Sequence, residues 1–121
     1  MEYALLIYGD EKRAATASPE ELEAGMELWW KYEAWLAEKG IKVAGEALHD
    51  TGQATTVRIK DGEKLTTDGP FAETKEQLGG FYVLDVANLD EALEAAAQCP
   101  GAFTGSIEVR PIEKFEQGDQ S

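Results

Sequence analysis

Leu65-Thr66-Thr67-Asp68-Gly69-Pro70-Phe71-Ala72-Glu73-Thr74-Lys75-Glu76-Gln77-Leu78-Gly79-Gly80-Phe81-Tyr82 is where a hairpin arm ends, a charged loop runs and an apolar strand begins. Asp68-Gly69-Pro70 is turn chemistry, because Gly permits positive φ and Pro fixes its own φ. Glu73, Lys75 and Glu76 then place three charges within four residues, and Gly79-Gly80 frees the backbone just before Phe81 to Val86. A connector needs turn residues but not that charge cluster. The segment therefore reads as a functional loop, with the rest of the chain as the scaffold that presents it.

Outward from this stretch, the elements follow in order. Tyr3 to Tyr8 is a short continuous apolar run closed by Gly9-Asp10, which suits a strand buried on both faces. Glu11 to Ala17 reads as a polar connection. Ser18-Pro19-Glu20-Glu21 is a helix start, with Ser as N-cap, Pro at N1 and Glu at N3 for a capping box. That helix is expected to reach about Lys39, with Gly40 ending it. Leu22, Met26, Trp29 and Leu36 form one stripe along it, flanked by Leu28, Tyr32 and Trp35 on one side and Trp30 on the other. Trp29 reads as core, and Trp35, farthest round, as core, a subunit contact or a pocket wall.

Ile41 to Ala47 is a second strand and Ala54 to Ile59 a third, the latter rich in β-branched residues. Lys60-Asp61-Gly62-Glu63 is a hairpin signal whose returning arm, Lys64 to Thr67, feeds into Asp68. Gly80 to Val86 is the second strongly apolar strand, with Phe81 and Val83 on one face and Tyr82, Leu84 and Val86 on the other. Asn88 caps a second helix that Pro100-Gly101 stops. Ile107 to Ile112 alternates as a last strand, where Pro111 marks an edge or an end. Residues 1–116 form one domain, and 117–121 a frayed polar tail.

This β-α-β, hairpin, loop, β-α-β order is the α+β, ferredoxin-like split-βαβ pattern, an antiparallel sheet with both helices on one face. Two strands apolar on both sides leave one sheet face bare, a patch that a soluble monomer rarely tolerates. A homodimer across that face is the expectation, most simply two-fold.

Composition bounds the function. Net charge is −13, from 24 acidic against 11 basic residues, which repels phosphate backbones and anionic lipid and argues against nucleic-acid and membrane roles. The single cysteine, Cys99, excludes an intramolecular disulfide and a cysteine-based zinc site, and suits a reducing cytoplasm. Met1-Glu2-Tyr3 opens neither a signal peptide nor a spanning helix.

Asp68-Gly69-Pro70-Phe71-Ala72-Glu73-Thr74-Lys75-Glu76 followed by Leu78-Gly79-Gly80-Phe81 resembles the signature of the DGPF group of YCII-related proteins. Thr56-Val57-Arg58, Leu89-Asp90-Glu91-Ala92, Cys99-Pro100 and Glu108-Val109-Arg110-Pro111 extend the resemblance over nearly the whole chain. It implies a ferredoxin-like fold pairing as a dimeric α/β barrel, in a bacterial protein often associated with extracytoplasmic-function sigma factors. Broader YCII-like proteins carry a His on the first helix and an Asp just before the Pro that follows the second. Here the 19–39 helix has no His and Cys99 precedes Pro100, so that pair does not carry over. Relatives with enzymatic activity, such as a dehydrochlorinase of chlorinated-aromatic breakdown, supply only an analogy of fold.

The residues themselves leave alternatives open. Asp68 is either the anchor of an Asx-turn or a general base at a pocket mouth. Glu73, Lys75 and Glu76 are a solvated cluster, or Lys75 binds a carboxylate or enolate while Glu73 or Glu76 moves a proton. His49, the only histidine, is a surface residue or a catalyst. Arg58 and Arg110 pair with acids such as Glu73 or Glu108 across the sheet, or clamp an anion. Cys99 reads as a small buried helix-end residue. No phosphate loop, nucleophile elbow or metal-ligand spacing is present, so no cofactor and no metal are expected.

Three functions follow. The first is a cytoplasmic small-molecule-binding or accessory dimer, its anionic or aromatic ligand between the 65–80 loop and the sheet beside Pro70, Phe71 and Tyr82. The second is a cofactor-independent lyase, isomerase or oxygenase-like enzyme using the loop carboxylates. The third is a protein-interaction module using Trp30 or Trp35.

Overall fold

A computed structural model of the chain describes residues 1–115; the tail read at 117–121 lies outside the described residues. The elements are β1 (Glu2–Gly9), α1 (Glu11–Ala15), α2 (Pro19–Lys39), β2 (Lys42–Ala47), a short turn of tight helix at Thr51–Gln53, β3 (Thr55–Lys60), β4 (Glu63–Asp68), β5 (Gln77–Asp85), α3 (Leu89–Gln98), α4 (Gly101–Thr104) and β6 (Ser106–Pro111).

β2, β5, β1 and β6 form an antiparallel sheet in that order, the split-βαβ order in which the two βαβ halves interleave. β1 lies at the centre, and its alternation divides the sheet. Tyr3 and Leu5 face the helices and are buried with Tyr82, Leu84 and Val86. Tyr32 and Leu36 of α2, Ala92, Ala95 and Ala96 of α3, and Cys99 complete the core. Each fully buried aliphatic or aromatic side chain there is worth about 1.5–3 kcal/mol.

Among the described residues, no helix lies over the opposite face. The register sets Ala44, Val83, Ala4 and Arg110 in one row across it and Glu46, Phe81, Leu6 and Glu108 in the next. β6 is an edge strand and Pro111 its last residue, so the missing N–H lies at the end of the ladder.

The helix start at Ser18 has both halves of its capping box, Glu21 N–H to Ser18 Oγ at 3.1 Å and Ser18 N–H to Glu21 Oε1 at 2.9 Å. Gly40 ends α2 at φ 66°, a left-handed conformation that a side chain would oppose. The Asp61-Gly62 turn takes φ of 53° and 80°, the pair of positive angles that a two-residue hairpin requires.

Two differences from the sequence reading have physical causes. Glu11 to Ala17 is not simply a connection, because Asp10 caps a single turn of helix there, accepting from Lys12 N–H at 3.0 Å. Five residues are too few to show a period. The stripe of α2 is buried only in its second half. Leu22 and Met26 are exposed, and the buried residues of the helix are Tyr32 and Leu36. Among the described residues, no helix is long and apolar enough to cross a membrane.

Candidate functional site

The second half of α2 carries Trp29, Tyr32, Trp35 and Leu36, spaced to project toward the sheet and toward α3. Tyr32 is the hub. Trp29 meets its ring edge-on with centroids 6.2 Å apart, Trp35 stacks on it at 5.9 Å, and Tyr82 of β5 meets it edge-on at 5.6 Å. Such pairs each add about 0.5–1.5 kcal/mol beyond burial. The Tyr32 hydroxyl donates to the Ala95 carbonyl at 2.8 Å, locking α2 to α3. Burial, then the neighbouring Cys99 and Glu33, push the Tyr32 phenol well above its ordinary range.

Cys99 ends α3 as its C-cap and is fully buried beside Tyr32. Burial pushes its thiol up to about 11, despite hydrogen bonds with Gly101 and Tyr32 that act the other way. At neutral pH this sulfur is a thiol and a poor nucleophile. It occupies the place before Pro100 where the broader family resemblance implies an Asp.

Above this pair, between α2 and the α3–α4 corner, lies a groove of about 260 Å³ lined by Leu28, Lys31, Tyr32, Trp35, Gln98, Pro100 and Phe103. Trp35 is thus a pocket wall. The lining is mostly apolar and aromatic, with one ammonium and one carboxamide, and Trp35 also stacks on Tyr32 and carries Lys39 Nζ 5.5 Å from its ring centre. The lining holds no carboxylate and no imidazole.

Beneath it, Tyr82 donates to Glu33 Oε2 at 2.6 Å and Lys42 Nζ donates to Oε1 at 2.8 Å. Burial pulls the Glu33 carboxyl upward, but the hydrogen bonds from Lys42 and Tyr82 and the Lys42 charge outweigh it and hold the group below the usual carboxylate range. Lys42 also sits 5.6 Å from the centre of the Tyr82 ring.

The loop residues lie elsewhere. Asp68, Pro70, Phe71, Glu73 and Lys75 are exposed, Phe71 at 76%. What holds the Gly69-Pro70 corner is Gly69 N–H to the Ala54 carbonyl at 2.6 Å and the Thr56 hydroxyl to the Gly69 carbonyl at 2.8 Å. Glu76 alone of the loop charges reaches the sheet, accepting from the Ser106 hydroxyl at 2.8 Å. Arg110 binds Glu108 at 2.9 Å along β6, and Tyr8 donates to the same carboxylate at 3.3 Å, on the open sheet face. Arg58 is exposed on the hairpin and His49 is exposed after β2. Tyr82 faces the helices, so the structure does not bring it together with Phe71. Among the described residues, no three His, Cys, Asp or Glu side chains come together to hold a metal ion.

Tyr32, Glu33, Lys42 and Cys99 did not stand out as a site in the sequence. Their one signal is the aromatic arc of α2, wider than a one-sided helix needs.

Comparison with known proteins gives three results. The model of the YCII-related domain matches residues 1–116. An uncharacterized protein of Rhizobium meliloti (strain 1021) is 43% identical over 121 residues, covering 98% of each chain. Among solved structures, the chain is similar to 5-chloro-2-hydroxyhydroquinone dehydrochlorinase from Burkholderia phenoliruptrix AC1100 in complex with 2,5-dihydroxybenzoquinone. The TM-score is 0.52 at 14% identity, over 98% of this chain and 100% of that one, a likeness of fold alone.

Proposed function

This chain belongs to the YCII-related family, and we propose that it is a small-molecule-binding protein that works as a homodimer and holds a single-ring aromatic ligand in the groove between α2 and α4. The groove carries the proposal. It holds about 260 Å³, is half open to solvent, and has Trp35, Tyr32 and Phe103 in its lining. Trp35 and Phe103 give the ring its two faces, while Lys31 and Gln98 take up an anionic or hydroxyl substituent. A neighbour of the same fold solved with a dihydroxybenzoquinone supports a ligand of this shape.

The homodimer rests on the open sheet face, where Leu6, Val83 and Phe81 have no helix over them. Pairing two such faces removes that apolar surface from water. The compartment we assign is the cytoplasm, which suits a buried free thiol.

An enzyme is the second reading, favoured by the hydrogen-bonded group Tyr8, Glu108 and Arg110, with the Ser106–Glu76 pair on β6 and the loop. A partner subunit laid over that group would enclose it, and the loop's Lys75, Glu73 and Asp68 lie in the segment that leads to Glu76. In this reading the carboxylates move a proton and the cations steady an anion.

Titration with 2,5-dihydroxybenzoquinone and with small aromatic acids, followed by tryptophan fluorescence and calorimetry, separates the two. In the groove reading Trp35→Ala weakens binding by about tenfold or more, the loss of about 1.4 kcal/mol, and Arg110→Ala leaves it unchanged. The reverse pattern assigns the ligand to the open face.

A further inference from the structure

Between β2 and β5 the chain leaves the four-stranded sheet for residues 48–76, and within this excursion β3 and β4 make a two-stranded sheet of their own. The excursion is closed on itself at its base. Gly69 N–H donates to the Ala54 carbonyl and the Thr56 hydroxyl to the Gly69 carbonyl, so the hairpin and the Gly69-Pro70 corner form one unit. Every residue of β4 is exposed, and so is every residue of β3 except Thr56. With so little of it buried, the unit depends on a few polar bonds for its attachment to the sheet.

Its entry and its exit meet on one residue, Glu11, the first of α1. The Glu11 carboxylate accepts twice from Thr51, from N–H to Oε1 at 2.7 Å and from the hydroxyl to Oε2 at 2.7 Å. The Glu11 N–H donates to Gln77 Oε1 at 2.9 Å, and Gln77 Nε2 donates in turn to the Thr74 carbonyl of the charged loop. The register explains how Gln77 gets there. Ile7 pairs with Gly80 but Tyr8 with Leu78, which leaves Gly79 out of the β1 ladder. Such a bulge reverses the alternation beyond it. Gln77 therefore stands opposite Gly9, on the side of Tyr3 and Leu5 and not on that of Phe81 and Val83. Glu11, Thr51 and Gln77 are all half-buried. Both bonds from Thr51 go to a carboxylate, the stronger kind of hydrogen bond.

We propose that Glu11 is a conformational clasp. It fixes the β3–β4 hairpin and the charged loop to the sheet as one body, and its release lets the two swing together while the four-stranded sheet stays folded. Asp68, Glu73 and Lys75 ride on that body, so the clasp sets where the charges of the loop stand. It holds whichever of the two surfaces takes a ligand.

Hydrogen exchange read by mass spectrometry on the full chain tests this. In Glu11→Ala, peptides from the hairpin and from residues 69–76 should exchange about tenfold faster, by a common factor, while those from the middle of β1, β5 and α2 keep the parent's rates. Thr51→Val leaves Glu11 in place and removes only the hydroxyl bond, so it should give the same pattern to a smaller degree. That variant decides the matter if Glu11→Ala does not fold. Unchanged exchange in the hairpin and the loop overturns the proposal. So does faster exchange in one without the other, which makes them independent. An equal acceleration across the whole chain also overturns it, because Glu11 is then an ordinary stabilising residue.

Discussion

The Tyr82 hydroxyl and the Glu33 carboxylate meet at 2.6 Å, and this bond ties the middle of β5 to the middle of α2 beneath the aromatic cluster. Lys42 occupies the other carboxylate oxygen, so Glu33 joins β2 to the same point. Tyr82→Phe removes a hydrogen bond to a charged group that is partly open to solvent, and should cost about 1–2 kcal/mol in urea unfolding.

Acid sensitivity follows from the same group. The Glu33 carboxyl lies below its ordinary range in the fold. Its contribution is therefore complete above the unfolded pKa and is lost as pH falls through the folded one. Glu33→Gln should lower stability at neutral pH and flatten the loss of stability as pH falls through and below the ordinary carboxylate range. Urea midpoints against pH measure this; an equal deficit at both ends of the range would show that Glu33 is not the titrating group.

Gly45 leaves room for that tyrosine. A Cβ there would lie 2.6 Å from Tyr82 Cδ1 and 2.9 Å from Cε1, and 3.2 Å from Lys42 Cε. Gly45→Ala should destabilise by about 1–3 kcal/mol, the range for overpacking. The effect should shrink in a Tyr82→Ala background, because the ring that clashes has gone. Additive losses in the cycle would mean that the methyl is resisted by something else.

Cys99 should resist thiol reagents. It is buried and its thiol is pushed up to about 11, so native protein should react with a disulfide reagent at neutral pH only as fast as it opens, and completely in denaturant. Rapid stoichiometric reaction of the native protein would contradict the burial.

Phe103 is 78% exposed at the mouth of the groove. Phe103→Ala should leave the unfolding midpoint within about 0.5 kcal/mol of the parent while weakening ring binding measurably by calorimetry. A variant that loses stability but not affinity would make Phe103 a packing residue.

Much of the fold was written locally. Ser18-Pro19-Glu20-Glu21, Gly40 and Asp61-Gly62 each carry their own backbone requirement, and each stands where its chemistry put it. The two-sided apolar runs at Tyr3–Tyr8 and Phe81–Val86 identified the central strands for the same reason. The groove was less legible. Trp35 read as core, subunit contact or wall, and Phe103, which lines the same groove, comes from a four-residue helix far along the chain, so only tertiary packing brings them together. Likewise the Tyr32–Cys99 contact joins residues whose separate sequence neighbourhoods look like ordinary core. The charged loop has an unmistakable sequence, yet turn chemistry specifies its corner and not what its charges face.

The most direct measurement is a crystal structure of the protein soaked or grown with 2,5-dihydroxybenzoquinone. The ring should lie between Trp35 and Phe103, with an oxygen toward Lys31 or Gln98 and Tyr32 behind it. A ring found instead on the open face of the sheet beside Glu108 and Arg110, with the groove empty, would contradict the assignment.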